Sequence, residues 1–288
     1  MLGATGTIGR ATVQALCARG WDVTAIVRAP TDLPGATLVI GDVTTPGAVA
    51  AVLDGGGFDA VICCLASRTG VPADAWAIDH DATVAAIEAA QAAGLGRFVL
   101  LSAICVQRPR LAFQHAKLAA ERALMESGLI WTIVRPTAFF KSLSGQVDRV
   151  RRGKPFLVFG DGRLTACKPI SDADLGRFLA DCLTDASRCN RVLPIGGPGP
   201  ALTPLDQAAL LGATVRRVPV RLLDAIIFAL SAVGLKAKAE YARIGRYYAT
   251  ESMLVWDAAA GRYDADATPE FGTDTLAQHY AALLGGKG

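Results

Sequence analysis

The chain has 288 residues, is 52% hydrophobic and carries a formal net charge of +3 at pH 7. This supplies a large core and suits one α/β domain or a nucleotide domain with a smaller lobe, while a charge so close to balance gives no footing for nucleic acid. Seven cysteines without Cys-x-x-Cys spacing read as reduced core thiols of a cytoplasmic protein, and three scattered histidines make no metal pattern.

The chain opens on Gly3-Ala4-Thr5-Gly6-Thr7-Ile8-Gly9, a Gly-x-x-Gly-x-x-Gly turn, followed by a helix predicted over 8–19. A helix N-terminus exposes unpaired N–H groups and the positive end of the dipole, and glycines let a pyrophosphate come close. Gly3, Gly6, Thr7, Ile8 and Gly9 are therefore candidates to hold a dinucleotide, with Arg10 assisting. Only Met1 and Leu2 precede the turn, where a central strand of about 5–6 residues is usual. The expectation is a truncated first strand, the native start lying upstream.

A strand over 22–27 ends at Arg28. Dinucleotide folds place an acid there for the ribose diol of NAD, or an arginine for a 2′-phosphate, so Arg28 points to NADPH. A solvated loop arginine is the plain alternative. A second strand, 36–40, leads to Asp42 and Val43, which would flank the adenine, and a helix over 46–53 follows. The continuous apolar run 60–65 reads as a parallel strand buried on both faces. Leu65 and Ala66 at its end would lie under the ribose and nicotinamide. A helix over 81–93, a strand over 98–102, a helix over 117–127 and a strand over 131–135, stopped by Pro136, complete the alternation. This is a Rossmann-type, doubly wound parallel sheet with right-handed crossovers. A helix-rich tail begins near residue 203, giving a nucleotide domain over 1–195 and a smaller, mainly helical substrate lobe over 196–288. The longest apolar stretch, 222–235, is too short to span a bilayer. It is expected as a helix that shields a substrate or touches a membrane surface.

Short-chain dehydrogenases carry Tyr-x-x-x-Lys on one helix face, with a serine at the end of the preceding strand. Here the pattern is Phe113-Gln114-His115-Ala116-Lys117, with Ser102 in the serine's place. Lys117 and Ser102 are the catalytic candidates, and Lys117 is also a cofactor ligand. Phe113 has no proton to donate. Carbonyl reduction benefits from an acid at the alkoxide, whereas a conjugated C=C can spread the negative charge, so the substitution leans towards alkene reduction. Arg149, Arg151, Arg152 and Lys154 form a basic cluster, read either as a solvated helix end or as steering for an anion.

Several blocks closely resemble the divinyl chlorophyllide 8-vinyl reductases. They are Ser102-Ala103-Ile104-Cys105-Val106-Gln107, Phe113-Gln114-His115-Ala116-Lys117-Leu118, Arg135-Pro136-Thr137-Ala138-Phe139-Phe140-Lys141, Cys167-Lys168-Pro169-Ile170-Ser171 and Ile244-Gly245-Arg246-Tyr247-Tyr248. Phe in place of Tyr looks like the family's own pattern. The resemblance implies NADPH-dependent reduction of the 8-vinyl group of a divinyl tetrapyrrole to ethyl. It adds Pro136 to the cofactor residues and offers Phe139, Phe140, Lys168, Arg246 and Tyr247 as substrate contacts. Composition and apolar pattern give a cytoplasmic protein without transmembrane segment, free of nucleic acid, and peripheral contact with a photosynthetic membrane or with other pigment-synthesis enzymes is the further expectation. The competing readings are an isoflavone-reductase-like enzyme on a smaller substrate and a regulator that senses NADP without turnover.

Overall fold

The strands form where apolar, β-branched residues run without a turn former, as at Val23–Val27 and Ala60–Cys63. The computed structural model describes residues 1–285. In chain order, α1 (Thr7–Cys17) is followed by β1 (Val23–Val27), β2 (Ala36–Ile40), α2 (Ala48–Leu53) and β3 (Ala60–Cys63). The short α3 (Pro72–Ala75) runs through a π-helical segment, Trp76–Ala82, into α4 (Thr83–Ala92). Then come β4 (Arg97–Leu101), α5 (Ala112–Glu126), β5 (Ile130–Pro136), α6 (Phe140–Leu143), α7 (Val147–Arg151), β6 (Phe156–Phe159), α8 (Asp172–Asp181) and β7 (Arg191–Ile195). The rest is α9 (Pro204–Leu210), β8 (Val215–Val218), α10 (Val220–Ala232), α11 (Lys236–Thr250), the paired β9 (Val255–Asp257) and β10 (Arg262–Asp264), and α12 (Leu276–Gly285).

Two compact units result: Met1–Pro136 with Asp172–Leu193, and Thr137–Ser171 with Pro194–Gly288. The expected boundary at residue 195 is therefore corrected. The second unit takes in residues 137–171 as well, because β6 within that stretch pairs in parallel with β8.

In the first unit β1 pairs in parallel with β2, and β3 with β4 and β4 with β5. Met1 and Leu2 stand between the two sets. The Leu2 N–H donates to Ile62 O at 2.9 Å and its carbonyl accepts from Cys64 N–H at 2.9 Å. On the other side Met1 O accepts the Ile26 N–H at 3.3 Å, and the Met1 amino group donates to Thr24 O at 2.7 Å. Two residues thus carry ladder bonds to both neighbours. Burial pulls the amino group's pKa down to about 6. The core beneath includes Leu2, Val61, Ile87, Phe98, Leu100, Leu124 and Ile133. The second unit has its own core of Phe140, Val147, Phe156, Val158, Leu211, Leu276 and Tyr280.

Helix α5 starts at Ala112, five residues before the expected start, which brings Phe113 and Lys117 onto the same helix one turn apart. Further along, the fully buried Glu121 accepts hydrogen bonds from both Nε and Nη2 of Arg135 on β5. A buried carboxylate persists only with such a partner, and removing one side leaves the other charge stranded. Glu121→Ala should therefore lower the unfolding free energy by about 3–5 kcal/mol. The double variant Glu121→Leu/Arg135→Met should lose clearly less, and denaturant unfolding measures both.

Candidate functional site

The glycine turn is shaped by close backbone packing. Gly3 has φ +72°, and a Cβ there would lie 2.5 Å from the Cys64 carbonyl oxygen. A Cβ on Gly9 would lie 2.1 Å from the Gly3 carbonyl oxygen. Gly6, the N-cap of α1, provides no side-chain cap, so the helix presents the positive end of its dipole there without a side chain in the way. Arg10 clasps the turn, donating to Thr5 O at 3.2 Å, Asp32 O at 2.6 Å and Thr31 Oγ1 at 3.0 Å. Arg10 thereby holds the turn to the loop after β1.

Arg28 is exposed at the end of β1. Asp42, after β2, accepts from the Thr44 N–H at 2.9 Å and the Thr44 hydroxyl at 2.8 Å. These bonds, and then the Arg28 charge, hold its carboxyl below the usual range. Val43 packs on the core. Beneath the turn, burial raises the pKa of both Cys63 and Cys64, the latter to about 12, so neither is a thiolate at neutral pH.

At the carboxyl ends of β3 and β4 a second group converges. Lys117 on α5 lies 2.8 Å from the Asp79 carboxylate and 3.5 Å from the Leu65 carbonyl oxygen. Asp79, only 2% exposed, also accepts the Ser67 N–H. Ser102, Thr83 and Leu100 line the same crevice. The buried Ser102 hydroxyl has no hydrogen-bond partner among the described residues. Ala66 is exposed beside them, and Pro136 is buried at the end of β5.

Asp79 is the residue that sequence reasoning missed. It sits in the π-helical segment, where the i→i+5 bonding turns the chain off the 3.6-residue register. The available signal is the acid directly after Ile78, ahead of an alanine-rich helix.

The expected substrate residues all lie in the second unit, mostly tied into it. Phe140 is buried beside the His279 ring, and Phe139 is half-buried. Lys168 is buried and pairs with Glu270 at 2.6 Å, also donating to Thr268 O at 3.3 Å, so it does not stand as a free cation. Tyr247 is buried on α11, and Arg246 pairs with Asp224 on α10. In the basic cluster Arg149 donates to Pro155 O at 2.7 Å, and Arg151 lies 3.5 Å from Asp148.

The first unit fits a dinucleotide on three counts: a turn too close-packed for side chains, a helix N-terminus without side-chain cap, and an orphaned buried hydroxyl near Lys117. The NAD(P)H-binding family profile matches residues 3–186. The same fold occurs in an Escherichia coli NADPH-dependent quinone oxidoreductase solved with NADPH, with TM-score 0.74, 20% identity and 98% of each chain covered. Fold and site define an NAD(P)H-dependent oxidoreductase of Rossmann type. Divinyl chlorophyllide a 8-vinyl-reductase from indica rice is 46% identical over 98% of this chain and 77% of its own length. That from Arabidopsis thaliana is 43% identical over 99% and 76%. The chain belongs to the divinyl chlorophyllide a 8-vinyl-reductase family.

If Asp79 acts by holding Lys117, the two should be coupled in cofactor binding. Asp79→Asn should weaken NADPH binding on the order of tenfold, a charge-assisted bond being worth about 1.5–3 kcal/mol. In a Lys117→Met background the same change should have little further effect. Fluorescence titration of the four proteins closes the cycle.

Proposed function

We propose that this chain reduces the 8-vinyl group of divinyl chlorophyllide, or of its protochlorophyllide counterpart, to ethyl with NADPH. The observation that carries this is identity of 43–46% over nearly the whole chain to relatives bearing that name. The likeness extends through the second unit, where a shared nucleotide fold alone would not require it. The readings as a smaller-substrate reductase or an NADP sensor have no comparable support.

NADPH, when bound, supplies a hydride. The chain's own residues do the rest. The first turn of α1, behind its N-cap Gly6, receives the pyrophosphate, and Gly3 and Gly9 keep its approach open. Arg28 pairs with the 2′-phosphate, and Asp42 and Val43 border the adenine. Lys117, steadied by Asp79, hydrogen-bonds the nicotinamide ribose, with the Ser102 hydroxyl close by. Leu65, Ala66 and Pro136 border that end. Phe113 offers no proton, which suits a reaction at carbon. Overall the C=C gains one hydride and one proton, and a conjugated macrocycle can hold negative charge until carbon is protonated. Phe139 and the surroundings of Arg246 and Tyr247 remain our candidates for contact with the pigment. So apolar a substrate is in keeping with a peripheral position at a pigment-bearing membrane, beside other enzymes of the same synthesis. None of the described helices is long and apolar enough to cross one.

The decisive experiment is incubation with NADPH and divinyl chlorophyllide, followed by chromatography. The ethyl product is expected; NADPH binding with no turnover would favour the sensor. Arg28→Ala should weaken NADPH by about 1.5–3 kcal/mol and leave NADH little changed, the loss of one charge-assisted contact. Equal losses for both cofactors would remove Arg28 from this role.

Phe113→Tyr restores a phenol one helical turn from Lys117. Because no alkoxide forms, turnover should not rise appreciably. A many-fold acceleration in steady-state assays would mean that an acid at this position assists after all.

A further inference from the structure

We propose that α10 is the surface by which this protein docks on an anionic lipid bilayer. The helix runs 13 residues, about 20 Å at 1.5 Å per residue, and none of its residues is buried. Leu222, Ile226, Ala229 and Val233 recur at steps of four, three and four, so they line one face. Leu222, Ile226 and Val233 are exposed there, the last at 68%, and Phe228 on the same helix is 76% exposed. Large apolar side chains held so far into solvent on one helix mark an interaction surface.

Charge identifies the occupant. Arg216 and Arg217 on β8 and Arg221 on α10 stand exposed at the start of the helix, and Lys236 and Lys238 stand exposed just after its end. The helix's own acid, Asp224, is paired with Arg246, and Glu240 on α11 is paired with Arg243. An apolar face bracketed by cations at both ends matches an interfacial helix lying in the headgroup layer. A second copy of the chain fits less well. Whether the two α10 helices ran parallel or antiparallel, cations would meet cations at each end.

The proposal deepens the peripheral-membrane reading and is independent of the reductase one, since vesicle binding is measured without turnover. The full chain is floated with phosphatidylcholine vesicles, with and without phosphatidylglycerol. Binding is expected only to the anionic vesicles and should fall as salt rises. Phe228→Asp should abolish it. Arg216→Ser/Arg217→Ser should reduce it by tenfold or more, each cation near such a surface being worth on the order of fivefold. NADPH titration checks that the variants are folded, and the arginine pair serves as the test if Phe228→Asp is not. Failure to bind anionic vesicles at low salt would overturn the proposal, as would equal binding to neutral ones or unchanged binding in a folded variant. A dimer in sedimentation velocity that Phe228→Asp dissolves would make the face a contact between copies and would equally overturn it.

Discussion

The first unit is organised around a backbone contact that leaves no room for a side chain. The Gly3 carbonyl sits where a Cβ of residue 9 would be, and Gly3 itself lies against the Cys64 carbonyl. That contact lets α1 start directly above the end of β3. From there the N-terminal residues reach β1 on one side and β3 on the other, and Arg10 ties the turn to the loop that carries Arg28 towards Asp42. The glycine turn and the loop after β1 are thus fixed by one small volume of packed backbone. Atoms this close cannot be separated piecemeal, because each is the other's packing partner.

Helix α5 carries the other half of the argument. Phe113, Lys117 and Glu121 follow one another at four-residue steps and share a face. The two charged members point to different partners: Lys117 to Asp79 in the π-helical segment, Glu121 to Arg135 on β5. Buried charges are costly to desolvate and hold only where geometry answers them, so each pair fixes α5 against one neighbour. Lys117 is thereby placed by the same rule that fixes α5 against β5.

Much of this was legible in the sequence. The strand expected over 36–40 matches its observed bounds, and the glycine turn and a helix overlapping 222–235 follow from local pattern. Local pattern failed where structure depends on distant or irregular features. Asp79 escapes local pattern because a π-helical turn shifts the register on which helical reading depends. Helix α5 begins ahead of its expected start because its N-cap, Leu111, is apolar; the cap comes instead from Gln114, whose side chain accepts the Arg110 and Leu111 N–H groups. The ion pairs of Lys168 with Glu270 and of Arg246 with Asp224 join residues far apart in sequence, so no local pattern shows them. The boundary at 195 missed because parallel pairing of β6 with β8 joins segments more than fifty residues apart, and no local periodicity records such a partner.

That pairing has a consequence for how the chain acquires its form. The two units are interleaved: the first leaves off at Pro136, resumes at Asp172, and ends at Leu193, while the second is interrupted by that return. During synthesis the first unit cannot close when residue 136 emerges, since α8, which packs on α1, has not yet been made. Meanwhile β6 waits, with its edge unpaired, until β8 follows. Loop-closure entropy must be met before either contact is rewarded. The first unit therefore has all its parts only once residue 193 has been made, and the second only with the C-terminal segment. An unpaired strand edge during that interval is the point at which the nascent chain is most open to aggregation and to holding by chaperones.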